Sequence, residues 1–598
     1  MINVNAYFEK KLQEINSDSA QLSAYKATGN TVVIAGPGSG KTTVLTLKVM
    51  QLLKDSIYPP RGLACLTYST EAVREFKNRL GKLGLEKRKN VFLGTVHSFC
   101  LTEIIMPFAT LYPKYRIPQP VRIISEKEKN RLFAAQQYEG NPQLGDVDKE
   151  RTRNIKGISR VAIESYDIAL KAAISFEELL LDKGYLDFIS MVKIAVEIIK
   201  NESYVRKAIQ ARYPWIIVDE YQVLAKPLHE LILTLLDMTE INVFAVGDAD
   251  QSIYDFQGAA PDYLIELSQR EDVSCVYLKN NYRSAQTIVD ASEHILESSR
   301  GYIACGKLHD YRAELQFVEC VSGMEEQYKV VVDQVKKYHE KGVPYHEIAV
   351  LMGNNAQVDA LAKVCAVHNI PTYCSKQKFR TTEFIVWLQS CAGWTLDKNS
   401  TSFDDIVMTW RSFVSHKHLI GDPEALALKR LLFKTLTEGV QYKDDMLSWL
   451  KHIDSRLDIV SLFQDSDRYP DELDNYEKLL SIDIPQDGTI SLDFLARLGI
   501  PENQVVLSTR HSSKGLEFDV IIMLGMEKDS FPNYYDNTPR KLSEARRLCF
   551  VAVSRARKAC ILVRSLQLPN KYGRWFAKDP SPFWVELKKF QSMRVESS

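Results

Sequence analysis

The sequence predicts an α/β protein with two parallel-sheet domains, each interrupted by a mainly helical insertion. Eight short apolar runs, rich in Val and Ile and bounded by turn residues, recur along the chain. Continuous apolar strands between amphipathic helical stretches are typical of buried parallel sheets with helices on their faces. The runs fall into two clusters, and at roughly 100–200 residues per domain the chain of 598 residues predicts about three to five domains.

The first cluster of strands predicts the first α/β domain, at residues 1–99 and 206–284. Its apolar runs are TVVIAG (31–36), GLACLTY (62–68), VFLGTVH (91–97), WIIVDE (215–220) and NVFAVGD (242–248). Residues 100–205 lie between its two parts and keep apolar side chains at helical spacing. They therefore predict a helical insertion and not a linker.

The second cluster predicts the second α/β domain, at residues 285–390 and 499–598. Its apolar runs are EIAVLM (347–352), DVIIMLG (519–525) and ACILVR (559–564). Residues 391–498 between the two parts again have helical spacing, so they predict a second helical insertion.

Composition limits the class of protein. Lys plus Arg and Asp plus Glu both number 76, so any contact with nucleic acid must come from a local groove and not from bulk charge. No two of the ten cysteines have C-x-x-C spacing, which argues for a reduced, cytoplasmic protein without a zinc site. The N-terminus lacks a signal-peptide core, and no apolar run approaches 18 residues, so no membrane partner is expected.

A strand followed by a Gly-rich loop and a helix start predicts a phosphate site at residues 31–43, and the segment fits the P-loop pattern except that Ala35 stands in place of its first glycine. The glycines let backbone N–H groups surround phosphates, and the helix N-terminus adds partial positive charge. Lys41 is expected to reach the β- and γ-phosphates, and Thr42 to hold Mg²⁺. A Gly-rich turn that binds nothing is the alternative. The residues expected around the nucleotide are Gly36, Gly38, Ser39, Gly40, Lys41, Thr42 and Thr43.

The segment WIIVDEYQ (215–222) supplies the expected acidic partner of this loop. Its apolar strand ends in Asp219 and Glu220, which places both carboxylates at the carboxyl edge of the sheet. Asp219 is expected to hold Mg²⁺, directly or through water, and Glu220 to orient and deprotonate the attacking water. A strand that ends in Asp-Glu is also a common helix N-cap, but the preceding P-loop favours catalysis.

Seven further segments, in order, resemble motifs of the UvrD/Rep-like DNA helicases of superfamily 1. They are SDSAQLSAY (17–25), LTYSTEA (66–72), GTVHSF (94–99), VGDADQSIYDFQGA (246–259), NNYRS (280–284), RHSSKGLEFD (510–519) and EARRLCFVAVSRA (544–556). The resemblance covers both strand clusters and most of the chain. It implies two RecA-like domains of the P-loop NTPase type, with ATP and Mg²⁺ as cofactors.

The resemblance also implies roles for side chains around the base and sugar of the nucleotide. Gln21 is expected to hydrogen-bond adenine, and Tyr282 to stack on it. Glu517 is expected to bind the ribose. Tyr282 has an alternative interpretation as an ordinary core residue.

Three further residues are expected to act on the γ-phosphate. Gln251 is expected to sense it and couple it to DNA, while Arg283 and Arg555 are expected to be arginine fingers from the second α/β domain. Guanidinium groups placed on a transferring phosphoryl group are worth ~10³–10⁵-fold in rate. Each arginine, taken singly, is more typical of a solvated surface charge, and only the accompanying motifs favour the finger role.

The expected DNA contacts are three aromatic and two polar side chains. Tyr68, Tyr254 and Phe256 align with family positions that stack on bases, and His97 and Asn355 with polar DNA contacts. Stacking is worth ~1–3 kcal/mol per base. For each aromatic residue, core packing is the alternative.

The chain departs from the family pattern at several positions. Phe256-Gln257 replace the Trp-Arg pair, Gly353 stands where an arginine is expected, and Val223 replaces the aspartate after the DExQ box. The first two changes predict weaker contacts in the DNA groove, and hence weaker translocation or dependence on a partner. The second insertion is also shorter than is usual in the family.

The sequence therefore predicts an ATP-dependent DNA helicase or translocase that moves 3′ to 5′ on single-stranded DNA and at single-strand/duplex junctions. Its expected setting is DNA repair or bacterial anti-phage defence. The alternative is a helicase-like ATPase subunit that regulates or feeds a separate partner nuclease. No D-x-K nuclease segment stands out after Ala556, which argues against a fused nuclease. A non-enzymatic DNA scaffold is disfavoured because Lys41, Glu220, Arg283 and Arg555 are all present.

Overall fold

The computed structural model describes residues 4–67, 70–82, 90–152, 166–255, 258–374, 377, 379–417, 420–482, 489–498, 501–570 and 572–597. These residues form two mainly parallel sheets, a short two-stranded ribbon and two helical groups. The predicted α/β fold with two RecA-like parallel-sheet domains is confirmed. Among the described residues, no helix combines the length and apolar character that crossing a membrane requires.

The first sheet has six parallel strands in the order β3-β2-β4-β5-β1-β6. The strands are β1 (Thr31–Ala35), β2 (Leu63–Thr67), β3 (Val91–Thr95), β4 (Trp215–Val218), β5 (Asn242–Gly247) and β6 (Ser274–Leu278). Its helices are Val4–Asn16, Ser19–Lys26, Lys41–Asp55, Thr70–Lys82, Val96–Phe99, Lys226–Met238 and Pro261–Ser268. All six strands end at one edge, where the functional segments begin.

The apolar strand pattern follows from burial on both faces of this sheet. Neighbouring residues point to opposite faces, so Val32 enters one hydrophobic core and Val33 the other. Ile216 and Ile217 on β4 divide in the same way. Strand β6 did not stand out in the sequence because most of its side chains are partly or fully exposed.

The first helical group shares its main core with the first sheet. Ile104, Met191 and Ile198 pack in the same cluster as Val96 and Leu228. A second, smaller core lies under the outer helices. The group contains the π-helix Cys100–Ile105 and the helices Met106–Phe108, Glu126–Ala134, Leu144–Arg151, Tyr166–Asp182, Phe188–Asn201 and Ser203–Arg212.

The second sheet has the parallel order β11-β12-β10-β13-β14, with β9 parallel and β15 antiparallel to β14. A ribbon of β7 (Asn280–Asn281) and β8 (Ile303–Ala304) precedes it. The strands are β9 (Glu314–Ser322), β10 (Ile348–Met352), β11 (Thr372–Cys374), β12 (Val505–Thr509), β13 (Phe518–Met523), β14 (Ala556–Pro569) and β15 (Trp575–Ala577). Its helices are Gln286–His294, Gly323–Glu340, Asn355–Val367, Pro539–Val553 and Pro582–Ser597.

The second helical group has a core of its own, whose described members run from Phe379 to Leu498. Trp387 and Trp410 stack at its centre, with ring centroids 4.8 Å apart. The core begins before residue 391, the predicted boundary, because the helix Glu383–Leu396 buries one face in it. The helices are Glu383–Leu396, Phe403–Val414, Asp422–Glu438, Met446–Leu457, Ile459–Phe463, Glu472–Leu480 and Leu492–Ala496.

Candidate nucleotide and nucleic-acid site

The P-loop connects β1 to the helix Lys41–Asp55. Gly40 precedes this helix at φ 81°, in the left-handed region that favours glycine, and no side chain caps the helix. The first N–H groups of the helix are therefore available to an anion. Ser39 steadies the loop, because its Oγ donates to the carbonyl of Gly36 at 2.7 Å. An open helix N-terminus beside a lysine suits phosphate groups.

Gln21 and Tyr282 approach this loop through one shared carboxylate. Nε2 of Gln21 donates to the carbonyl of Ser39 at 2.7 Å, and its backbone N–H donates to Asp18 at 3.1 Å. The hydroxyl of Tyr282 donates to the other oxygen of Asp18 at 2.8 Å. Burial and then Asp18 raise the pKa of Tyr282 to about 12, which keeps the phenol neutral. The two residues expected at the adenine thus lie on one side of the P-loop.

Asp219 and Glu220 lie directly after β4, at the same edge of the sheet. Glu220 has φ 53°, which is uncommon for a residue other than glycine. Its backbone N–H donates to Oδ1 of Asp219 at 2.9 Å. Such backbone strain is concentrated at functional sites.

Two cations face Glu220, one from each domain. Nζ of Lys514 lies 3.3 Å from Oε2 of Glu220. Burial alone raises the pKa of this carboxyl, but Lys514 and Lys41 outweigh it and lower the pKa to about 2. Glu220 is therefore ionised at neutral pH and accepts hydrogen bonds.

The metal-binding prediction rests on Thr42 and Asp219. Thr42 is the second residue of the helix Lys41–Asp55, and Asp219 follows β4. Within the described ranges, no group of three or more His, Cys, Asp or Glu residues could hold a metal ion. One carboxylate and one hydroxyl fit Mg²⁺, which is commonly held by one or two carboxylates together with substrate phosphates and water.

Asp248 and Gln251 follow β5, at the same edge of the sheet, and add two polar side chains to the site. Nε2 of Gln251 donates to Asp248 at 2.7 Å, and both side chains are buried. Burial raises the pKa of Asp248 to about 6, with Lys41 opposing the shift and Asp250 adding to it. Gln251 therefore lies beside a carboxyl whose charge is sensitive to its surroundings.

Arg283 and Arg555 are both tied to the second domain, although the predicted boundary after residue 284 assigns Arg283 to the first. Ser284, next to Arg283, donates through Oγ to the carbonyl of Ala556 at 2.7 Å. Nε of Arg283 donates to Glu517 at 2.5 Å. Glu517, the residue expected at the ribose, thus holds a predicted finger in place.

Arg555 is buried, and backbone carbonyls satisfy much of its guanidinium group. It donates to the carbonyls of Val551 at 3.0 Å and Leu516 at 3.3 Å. Burial, followed by repulsion from Arg283, lowers the pKa of Arg555 to about 9, although Glu220 and neighbouring carboxylates oppose this shift. Its charge thus interacts with the catalytic carboxylate predicted in the other domain.

Two residues of this site did not emerge from the sequence. Lys514 lies within the motif segment RHSSKGLEFD, and Gln222 within WIIVDEYQ. The motifs therefore include both residues, but the sequence does not show that either contacts Glu220. Gln222 is buried, and its Nε2 donates to Glu220 at 2.8 Å. Its Oε1 accepts from the backbone N–H of Asp248 at 3.0 Å. Gln222 therefore links the ends of β4 and β5.

The segment with Tyr254 is held by the helix Pro539–Val553. Glu544 accepts the backbone N–H of Asp255 at 3.0 Å, and Nε of Arg547 donates to the carbonyl of Ser252 at 2.8 Å. Nζ of Lys514 lies 5.2 Å from the centre of the Tyr254 ring. The predicted DNA contacts Tyr68 and Phe256 lie outside the described residues, as does Gln257.

His97 and Asn355 lie on different domains. The His97 ring meets Phe188 edge to face, with centroids 5.4 Å apart. Burial lowers the pKa of His97 to about 4, partly opposed by Asp187, so the imidazole is neutral. Phe188 is 50% exposed and was missed in the sequence, where it reads as one more apolar residue of a helix. Asn355 begins the helix Asn355–Val367, away from this pair.

The side chain of Arg510, which directly follows β12, lies beside Gly353. A Cβ built on Gly353 would be 3.4 Å from Nη1 of Arg510. The guanidinium of Arg510 is buried, 4.2 Å from the centre of the Phe531 ring, and donates to the carbonyl of Gly525 at 3.3 Å. The side chain is therefore directed into the domain, where it cannot contact a DNA backbone.

Comparison with known families covers most of the chain. Residues 16–272 match the UvrD/REP helicase N-terminal domain, and residues 276–419 and 426–567 match the UvrD-like helicase C-terminal domain. The ATP-dependent DNA helicase PcrA of Staphylococcus epidermidis (strain ATCC 35984) is 25% identical over 653 residues, covering 96% of this chain and 86% of the relative. PcrA of Staphylococcus aureus (strain Mu50) is 24% identical over 640 residues, with the same shares.

Proposed function

The chain belongs to the UvrD/Rep-like family of superfamily 1 helicases, and from that premise we propose that it is an ATP-dependent DNA helicase or translocase. The observation that carries this proposal is the position of Glu220 between Lys41 of the first domain and Lys514 of the second. Because each domain contributes one of the cations around Glu220, this position supports ATP hydrolysis that depends on the two domains closing on each other.

In the proposed chemistry, Glu220 orients the attacking water as a hydrogen-bond acceptor. Its low pKa makes it a weak base, so alignment of the water contributes more than early proton removal. Lys41, Arg283 and Arg555 stabilise the negative charge that develops on the transferring phosphoryl group. Mg²⁺ held by Thr42 and Asp219 would supply further charge neutralisation.

Coupling to DNA is proposed to pass through residues 251–255. Gln251 lies beside Asp248 at the phosphate end, and Tyr254 lies three residues further along. The helix Pro539–Val553, which leads to Arg555, holds the same segment through Glu544 and Arg547. A base that stacks on Tyr254 would thus affect the position of the catalytic groups. Movement 3′ to 5′ on single-stranded DNA is proposed from the family resemblance.

The test is to measure ATP hydrolysis by the purified chain with and without a single-stranded oligonucleotide. Hydrolysis is expected to rise about tenfold with DNA, a coupling within the usual range. Duplexes with a 3′ or a 5′ single-stranded tail then test polarity, and only the 3′-tailed substrate should be unwound. Hydrolysis that DNA leaves unchanged would contradict the proposal, and preferential unwinding of the 5′-tailed duplex would reverse the polarity.

A second candidate function is an ATPase subunit that serves a separate nuclease. The observation that favours it concerns Gly353, where the family has an arginine that contacts DNA. The neighbouring Arg510 side chain points into the domain and does not replace that contact. Efficient unwinding by the isolated chain would speak against dependence on a partner. The cellular setting, DNA repair or anti-phage defence, and a cytoplasmic location stay predictions.

A further inference from the structure

Gly36 occupies a position where the P-loop pattern G-x-x-x-x-G-K-[ST] accepts any residue. Its backbone does not explain the glycine, because the positive φ angles of this loop belong to Gly38 and Gly40. A Cβ built on Gly36 would instead lie 2.7 Å from Cζ and 2.9 Å from Cδ1 of Tyr302. Space for the Tyr302 ring is therefore the structural reason for a glycine at this position.

Tyr302 belongs to a segment, residues 300–305, whose backbone is held by the second domain, and the N–H of Tyr302 itself donates to Glu293 at 3.3 Å. Strand β8 within it pairs with β7, and the N–H of Cys305 donates to the carbonyl of Asn281 at 2.8 Å. The N–H of Ala304 donates to Oε1 of Gln286 at 2.7 Å. The Tyr302 side chain packs against the core cluster of the second domain. These backbone hydrogen bonds and the packing of its side chain therefore hold the Tyr302 ring against Gly36.

The same segment contacts the first domain at a second point. Arg300 forms two hydrogen bonds with Asp250, from Nε at 2.7 Å and from Nη2 at 2.8 Å. Two parallel bonds between a guanidinium and a carboxylate fix direction as well as distance. Asp250 precedes Gln251, so this ion pair lies next to the proposed γ-phosphate sensor.

We propose that Arg300 and Tyr302 form an interdomain strap that sets how the second domain meets the P-loop, with Tyr302 as a positioning residue for phosphoryl transfer. This inference rests on the proposed ATPase function. The strap pairs with β7, and β7 leads directly to Arg283, whose Cβ would lie 2.7 Å from a Cβ built on Gly38. Fixing the strap against Gly36 and Asp250 therefore fixes Arg283 relative to the phosphate site.

A double-mutant cycle between Gly36→Ala and Tyr302→Ala tests the strap. Gly36→Ala alone is expected to lower kcat about tenfold, because residues in direct contact couple strongly. In the Tyr302→Ala background, where the ring is absent, the same change should cost less than about twofold. Tyr302→Phe is the matched control, since it keeps the ring and should retain activity within about twofold of wild type.

A second readout uses no ATP hydrolysis. The melting temperature of the nucleotide-free protein is measured for all four members of the cycle, together with affinity for a fluorescent ADP analogue. Gly36→Ala is expected to lower the melting temperature in the wild-type background and to leave it nearly unchanged in the Tyr302→Ala background. Affinity for the ADP analogue should change less than kcat does in the first test, because the strap positions Arg283 and does not itself bind the base.

The outcomes separate this inference from the proposed function. Equal effects of Gly36→Ala in both backgrounds, in kcat and in melting temperature, would overturn the strap. If the wild-type protein hydrolyses no ATP but the melting temperatures are coupled, the proposed function is contradicted and the contact between Gly36 and Tyr302 is still supported. Loss of activity in Tyr302→Phe equal to that in Tyr302→Ala would overturn the role assigned to the ring.

Discussion

The residues predicted to bind the nucleotide and those predicted to contact DNA differ in how firmly the fold holds them. Gln21, Gln251 and Arg555 are buried and each donates hydrogen bonds to fixed partners. Of the predicted DNA contacts, Tyr254, His97 and Asn355 are each only partly buried. Tyr282 and Glu517, expected at the base and the ribose, are exposed as well, so the core-like hold is confined to part of the nucleotide site.

The difference reflects what each task demands. Phosphoryl transfer requires groups held within fractions of an ångström, so burial and hydrogen bonds are needed to fix them. Stacking on bases tolerates any sequence and many ring positions. The departures at Gln257 and Gly353 fall on the side predicted to contact DNA, and Val223 departs near the acidic pair, whereas Lys41, Glu220 and the predicted fingers Arg283 and Arg555 are present. Changes in the two regions should therefore differ in size and in kind.

The largest effect is expected from Glu220→Gln, which removes the carboxylate that orients water. Turnover of ATP should fall about 10³-fold, because the attacking water loses both its hydrogen-bond acceptor and the group that takes up its proton. Binding of ATP should persist, as measured with a fluorescent nucleotide. Lys41→Ala is the comparison, since it should lose both. Turnover by Glu220→Gln within about threefold of wild type would remove Glu220 from its assigned role.

The next largest effect is expected from the two finger arginines. Arg283→Ala and Arg555→Ala should each lower kcat about 10²–10³-fold, because they act on transition-state charge. Nucleotide affinity should change much less, in contrast to Tyr282→Ala, which should mainly weaken binding. Steady-state kinetics with melting curves separates lost catalysis from lost folding at the buried Arg555.

Arg270→Ala is the matched control for these two arginine changes. Arg270 pairs with Asp237 and Asp272, away from the cleft, and should leave kcat unchanged. If the finger variants altered only nucleotide affinity, their assignment would be wrong.

A smaller effect is expected from Lys514→Met. Lys514 is the leading cation that lowers the pKa of Glu220 to about 2, so its loss should raise that pKa towards the ordinary carboxyl range. The acidic limb of the kcat/KM profile should then move to higher pH, with kcat reduced about tenfold at neutral pH. The control is Lys528→Met, on the exposed surface of the same domain. Superimposable pH profiles would show that Lys514 does not act through Glu220.

On the DNA side, Tyr254→Ala combined with Phe256→Ala should remove most of the stimulation by single-stranded DNA. The two rings could together contribute roughly 2–6 kcal/mol of interaction if they act additively. Hydrolysis without DNA should fall far less. ATPase rate against oligonucleotide concentration measures both, with Tyr277→Ala on exposed β6 as control. A double variant stimulated like wild type would mean that these rings are packing residues.

The smallest effect concerns salt. With Gln257 and Gly353 in place of arginines, DNA affinity should depend more on stacking than on charge. Each phosphate contact that is absent makes the fall of affinity with salt less steep. Titrations at several salt concentrations should give a shallow slope, and Gly353→Arg should steepen it. A steep slope in the wild type would point to basic residues not yet assigned.

Much of the fold could be predicted because buried strands leave a continuous apolar signal. The eight apolar runs correspond to strands of the two sheets. The sequence did not predict β6 and β9, most of whose side chains are partly or fully exposed, or β11 and β15, which have three residues each, or β12, which is buried but short. The motifs also indicated which residues belong to the candidate site. Their partners were hidden because contacts such as Lys514 with Glu220, or Tyr302 with Gly36, join segments far apart in the chain. No local pattern specifies such a contact.

The separate core of the second helical group has a consequence for how this chain unfolds and tolerates substitution. In the described residues that core is drawn wholly from residues 379–498, whereas the first group is built into the core of its sheet. A unit of this kind can open cooperatively, on its own, while the remainder stays native. We expect calorimetry to resolve it as a separate transition. The residues predicted at the ATP site all lie outside this range, so changes confined to this core should leave ATP chemistry intact.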